Sequence, residues 1–199
     1  MRRSLILILC SVSLWFMGYN AVTTAYSKYF TRMWGDLSGA STCLMIATIG
    51  AVVSYIPVGV ISSKIGRKRM ILIGVVILAS CFGIMAIVNT FTPFIYVLFV
   101  VVGFAWAAIN VNSYTMVVEI SRGSDIGKYT GYYYTFSMAA QVVTPILAGT
   151  LLSNISYQVL FPYAAVFVGL SFVTMLFVRH GDSKAEAKKG LEACEDMDD

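Results

Sequence analysis

GVISSKIGRKR, residues 59–69, sets four cations (Lys64, Arg67, Lys68 and Arg69) between two long apolar runs in a chain that is only 12% charged. A loop this short and basic is costly to carry across a bilayer, and the bias of Lys and Arg toward cytoplasmic loops fixes it on that side. The rest of the topology counts outward from it. Apolar residues make up 58% of the sequence, and mean hydropathy is +0.79. That excess is spread over residues 5–178, which excludes an ordinary soluble domain. About 20 apolar residues cross a bilayer core, and six such runs are present, at residues 5–30, 39–62, 70–88, 93–118, 128–152 and 159–178. The expectation is an all-α membrane protein with six transmembrane helices in residues 1–180 and a disordered charged cytoplasmic tail at 181–199.

Charge supports this count. The tail holds seven acids against Lys184, Lys188 and Lys189, while residues 1–181 hold eleven cations against Asp36, Glu119 and Asp125. With both termini cytoplasmic, 12 of the 14 Lys and Arg residues lie inside, and only Lys28 and Arg32 lie outside. The cations sit at helix ends and act as a topology signal, so no nucleic-acid partner is expected. The mixed charges of residues 119–128 are expected to pair with each other or with lipid headgroups. MRRSLILILCS at residues 1–11 continues too far as an apolar run for a cleaved leader, and is read as a retained first helix of a plasma (inner) membrane protein. Cys10, Cys43 and Cys81 fall in apolar runs and Cys194 in the tail, without metal-ligand spacing, so free thiols are expected and neither metal nor cofactor is. The N-I-S sequon at Asn154 is read as a chance match.

Polar side chains are few and recur in register. Asn20, Thr23, Thr24 and Ser27 share one face of the first helix; Asn110, Ser113 and Tyr114 share one on the fourth; Thr130, Tyr134, Ser137, Gln141 and Thr144 form a third stripe on the fifth. A weaker stripe, Thr48, Tyr55 and Ser62, runs along the second. The third and sixth helices lack one and are expected to be outer, lipid-facing helices. Tyr26, Tyr29, Phe30 and Trp34 read as an interfacial aromatic belt, and Gly103 with Ala107 as a packing notch. Pro57 and Pro145 interrupt the hydrogen-bond ladders of the second and fifth helices.

A triplet pattern in lipid exposure suggests two inverted three-helix repeats, and the loop supplies a name for it. Gly59, Lys64, Gly66, Arg67 and Lys68 resemble the loop signature G-x-x-x-D-R/K-x-G-R-R/K of the major facilitator superfamily. The family's Asp position is Ser63 here. The segments YNAVTTAY (19–26), WAAINVNSYTMVVE (106–119) and GKYTGYYYTFSMAAQVVTPILAG (127–149) are similar to the C-terminal half of sugar:cation symporters, in particular the glycoside-pentoside-hexuronide branch and the sucrose-transporter-like solute carriers. The resemblance covers residues 5–178. It implies one six-helix half of a secondary active transporter that moves a sugar or glycoside, coupled to H⁺ or Na⁺, with a second six-helix half or another copy as partner. It also implies a role in conformational gating for Gly59, Ser63, Lys64, Gly66, Arg67 and Lys68.

Depth selects the expected substrate residues. Asn20, Thr24, Asn110, Tyr114 and Gln141 should converge on one aqueous cavity, since most lie ten or more residues from a helix end, and about 1.5 Å per residue puts them near the bilayer middle. Neutral amides and hydroxyls suit a neutral polyol, and Tyr19 or Trp106 can stack on a sugar face. No acid lies deep in any helix, so a coupling carboxylate is expected in the other half. Two further readings stay open: interhelical hydrogen bonding in a non-transporting scaffold, and a truncated, inactive fragment. No catalytic pair, metal cluster or nucleotide loop speaks for an enzyme.

Overall fold

The computed structural model describes residues 2–35, 38–120 and 125–179. It consists of six long helices: α1 (Arg2–Trp34), α2 (Ser38–Ile65), α3 (Arg67–Ile87), α4 (Phe94–Ile120), α5 (Ile126–Asn154) and α6 (Leu160–Leu176), with a short 3₁₀ turn, Tyr157–Val159, before the last. All six are long and apolar enough to cross a membrane. Helix is forced on such segments, because hydrocarbon offers no partner to a backbone N–H or C=O and the helix satisfies both internally. The tail from 181 onward, His180, Cys194 and residues 121–124 lie outside the described residues. No strand occurs among the described residues.

The helices alternate in direction, so the start of α1, the α2–α3 loop, the end of α4, the start of α5 and the end of α6 share one end of the bundle. Contacts confirm it: the backbone N–H of Arg179 donates to Ser4 Oγ (3.4 Å), and Lys68 Nζ donates to the Val178 carbonyl (2.6 Å). At the opposite end Trp34 Nε1 donates to the Asn89 carbonyl (3.0 Å).

Neighbour relations show an internal symmetry. α1 packs on α5 and α6, α4 packs on α2 and α3, and α3 packs on α6. Exchanging α1 with α4, α2 with α5 and α3 with α6 returns the same set of pairs. Each repeat has an odd number of helices, so the second triplet enters the bundle from the end opposite the first and the repeats are inverted. α2 and α4 approach closely: a Cβ at Gly103 would collide with the Ala47 carbonyl oxygen and stand 2.8 Å from the Ala51 nitrogen. The expected notch at Gly103 and Ala107 is therefore where α2 rests, and Ala107 is fully buried.

Two expectations are corrected. The least covered helices are α2 and α5, with 17% and 28% of their apolar windows buried, against 44% for α3 and 33% for α6. α3 and α6 do turn apolar side chains outward, such as Ile73 and Val166. They also pack on each other and on the two central helices, whereas α2 and α5 each have a single extensive neighbour. The aromatic belt is also largely internal. Tyr26, Tyr29 and Phe30 are buried, with Tyr26 4.8 Å from Phe99 and Tyr29 5.0 Å from Phe161 between ring centroids. Spacing of i, i+3, i+4 turns these rings onto one face, and α4 and α6 cover that face. The cluster plugs the bundle at the end remote from the basic loop.

Candidate functional site

A cavity of about 570 Å³ opens among α1, α2, α4 and α5. Its polar wall is Asn110 and Tyr114 from α4 with Tyr134, Ser137 and Gln141 from α5. Phe16 of α1, Tyr55 of α2, Val111 and Thr115 of α4, and Tyr133 and Met138 of α5 line the rest of this open groove. Tyr114 and Tyr133 lie within about two turns of the ends of α4 and α5 at the loop end, while Gln141 stands at mid-helix. The cavity therefore runs from the middle of the bundle toward the basic loop, away from the aromatic plug. None of its lining side chains carries a formal charge at neutral pH.

Its shape rests on one hydrogen-bond relay. Tyr133 Oη donates to Asn110 Oδ1 (3.2 Å), and the one hydroxyl proton of Ser113 is shared between Tyr133 Oη (3.1 Å) and the Asn110 carbonyl (3.2 Å). This ties α4 to α5 behind the cavity and fixes which way the Asn110 amide points. Pro145 has no N–H for the carbonyl of Gln141, so that residue brings a backbone acceptor without its helical donor as well as a side-chain amide.

The sequence-derived residues divide. Asn110, Tyr114 and Gln141 come together in this cavity; Tyr19, Asn20, Thr24 and Trp106 do not line it. Tyr19 and Trp106 lie face to face, 3.7 Å apart at 6°, so each ring covers a face of the other that a sugar would otherwise use. Asn20 Nδ2 donates to the Phe16 carbonyl (2.8 Å), and Thr24 Oγ1 donates to the Asn20 carbonyl (2.6 Å), closing the α1 stripe on its own helix. Thr24 faces a separate cleft of about 180 Å³ between α1 and α5. Thr144, from the α5 stripe, is buried and donates to the Ala140 carbonyl (2.5 Å). Sequence reasoning missed Phe16 and Tyr133 at the site, and placed Tyr55 only in a weak stripe. Three consecutive tyrosines, 132–134, were the available signal, since successive helix positions cannot all face outward.

At the loop end the residues of the basic stretch are individually placed. Gly66 has φ of +98°, a backbone conformation that side chains with a Cβ rarely adopt, and it turns the chain from α2 into α3. Gly59 has open space where a Cβ would stand. Ser63 donates its hydroxyl to the Val60 carbonyl (2.7 Å), and Lys64 is exposed. Arg67 Nη1 lies 2.6 Å from Glu119 Oε1 in the last turn of α4. Lys68 Nζ donates to the carbonyls of Leu176 (2.9 Å) and Val178 (2.6 Å), capping the end of α6. For Glu119 this corrects the expectation that the 119–128 charges pair among themselves or with lipid: it pairs with the first loop, because helix α4 delivers it beside the start of α3. Among the described residues no group of His, Cys, Asp and Glu could hold a metal ion.

The family model described as Major Facilitator Superfamily matches residues 7–193. An uncharacterized protein in the sodM 3' region of Geobacillus stearothermophilus is 23% identical over 194 residues, covering 93% of this chain and 89% of that protein. With six membrane-spanning helices in two inverted triplets and a family match over nearly its whole length, the chain belongs to the Major Facilitator Superfamily of membrane transporters.

Proposed function

We propose that the chain forms one six-helix half of a secondary active transporter that moves a neutral polyhydroxylated solute, a sugar or glycoside, by alternating access. The observation that carries this reading is the composition of the 570 Å³ cavity, an amide, phenol and hydroxyl wall with no formal charge. Its volume falls in the usual range of roughly 300–1,000 Å³ for small-molecule sites. An anionic solute would call for Arg or Lys in that wall, and a neutral polyol needs donors and acceptors that leave no charge to desolvate. Opening toward the basic loop with an aromatic plug at the far end is the shape of a half facing one side. With that loop and both termini in the cytoplasm of a plasma-membrane protein, this side is the inside.

A second six-helix half, or another copy of the chain, would complete the pathway against α2 and α5, whose apolar side chains Val53, Ile56, Val142 and Ile146 are the least covered. The acids among the described residues, Glu119 and Asp125, both sit at the loop end, so coupling to H⁺ or Na⁺ would draw its carboxylate from the partner half. The gating role of the 59–68 stretch belongs to the same reading, since Arg67 and Lys68 hold the starts and ends of three helices together at the surface that must open. One observation favours the scaffold reading instead: the α1 hydroxyls close on their own helix and present little to a solute.

Binding of a panel of neutral sugars and acidic sugars to the purified chain in nanodiscs, read by tryptophan fluorescence and by competition, tests the substrate class. Saturable binding of neutral sugars that acidic sugars do not compete for is expected. Preference for acidic sugars, or no binding with Gln141→Leu indistinguishable from the parent, would overturn it.

A further inference from the structure

We propose that the end of α1 remote from the basic loop carries a second binding site, one for a phosphate-type anion, formed by Lys28 and Arg32. These are the two cations that stand apart from the other 12 in the charge count. They lie one helical turn apart on one face, and with Ser27, Thr31 and Tyr157 they line a depression of about 370 Å³. The Arg32 guanidinium carbon stands 5.9 Å from the centre of the Tyr157 ring, a cation–π contact that holds it over the depression. Lys28 and Tyr157 also border the neighbouring α1–α5 cleft, so the two depressions adjoin at these side chains.

The negative end of the α1 dipole accounts for a cation in its last turn, where Arg32 sits. It does not account for two cations lining one concavity beside hydroxyls. Like charges at this spacing repel, and Glu119 and Asp125, the acids among the described residues, lie at the opposite end of the bundle. Asp36 falls outside the described residues. An anion bridging Lys28 and Arg32 removes the repulsion. Thr31 spends its hydroxyl proton on the Ser27 carbonyl (3.0 Å), which leaves a planar guanidinium fork, an ammonium point charge and the hydroxyls of Ser27 and Tyr157 in the lining; these match an anion with several acceptor oxygens around one centre, and phosphate meets this better than a carboxylate with two. Depth at a helix end is the level of lipid headgroups as well as of dissolved solutes, so the phosphate can come from an anionic phospholipid or from a soluble phosphate ester.

The site is independent of the sugar reading, and its test leaves the cavity untouched. Purified protein is titrated with phosphatidylglycerol, with phosphatidylcholine, and with glycerol phosphate, and binding is followed by native mass spectrometry and thermal shift. The parent is expected to bind phosphatidylglycerol, glycerol phosphate or both in preference to phosphatidylcholine; the first alone assigns the lipid as source, and the second assigns the dissolved anion. Lys28→Gln with Arg32→Gln should weaken that binding at least tenfold. The charge-keeping exchange Lys28→Arg with Arg32→Lys should retain it and shows that the face still folds. Lys64→Gln with Arg69→Gln, at the other end, should leave this component intact. Failure of the parent to bind either phosphate probe, equal binding by the charge-removed variant, or binding that emerges only in Asp36→Asn would overturn the proposal.

Discussion

Arg67 Nη1 lies 2.6 Å from Glu119 Oε1, and this ion pair joins the first residue of α3 to the last turn of α4 with both side chains about one-fifth exposed. The family signature carries an acid at the position of Ser63, which here spends its hydroxyl on its own helix. Glu119 is the acid that Arg67 actually finds. Arg67→Lys and Glu119→Gln are each expected to lower the maximal transport rate of an active assembly several-fold with little change in solute KM. The charge exchange Arg67→Glu with Glu119→Arg should recover part of the loss. Equal loss in rate and KM would place these residues at the solute instead of at the gate.

Lys68 and Lys64 separate structure from topology. Lys68 donates to the last carbonyl of α6, Leu176, and to that of Val178 just beyond it, and hydrogen bonds from a charged group contribute about 1.5–3 kcal/mol each when sheltered; partial exposure reduces that. Lys68→Gln should destabilise the fold by about 1–2 kcal/mol, visible as a lower Tm in detergent. Lys64→Gln, at an exposed position, should leave Tm unchanged. Equal effects from the two would mean that the cap contributes nothing.

Glycine substitutions give opposite results at two positions of similar sequence context. Gly103→Ala pushes a Cβ into the α2 backbone at Ala47, and overpacking of this kind costs about 1–3 kcal/mol. Gly59→Ala meets open space and should be neutral or slightly stabilising through helix propensity. Thermal denaturation of both variants checks the pair, and a stable Gly103→Ala protein would contradict the α2–α4 contact.

The cavity predicts a pattern of protection. In a background without native cysteines, Asn110→Cys, Tyr114→Cys and Gln141→Cys should react with a water-soluble thiol reagent and, on the proposed function, be shielded by a neutral sugar. Thr24→Cys should react without shielding, because it faces a different cleft. Tyr133→Phe removes the hydroxyl bonded to Asn110 and Ser113, and a loss of about 1 kcal/mol in sugar binding is expected. Shielding at Thr24 alone would move the site into the α1–α5 cleft.

Six spans were legible because hydropathy over about 20 residues is a strong local signal, and helix ends differ from the expected bounds by only a few residues. That Asn110 and Gln141 face one cavity was legible for a related reason: a polar amide deep in an apolar helix needs a partner or a cavity, and Tyr114 follows Asn110 by its i+4 spacing. The α1 stripe misled, since a hydroxyl that faces a cavity and one that bonds the carbonyl a turn behind it have the same spacing. Phe16 was hidden among apolar packing residues, and Tyr133 among three tyrosines of which periodicity favoured its neighbour. The Arg67–Glu119 pair joins positions far apart in sequence, and only the placement of α4 beside α3 brings them together.

The exchange symmetry of the six helices has a consequence for biogenesis. A bundle whose two triplets interchange under a half-turn presents nearly the same silhouette when turned upside down, so packing gives the insertion machinery almost no reason to prefer one orientation. That choice falls to the unequal decoration of two otherwise equivalent rims: among the described residues one bears eight cations and the other two, Lys28 and Arg32. Orientation is then an editable property: moving a few lysines from one rim to the other would invert the protein in its membrane while every helix kept its neighbours.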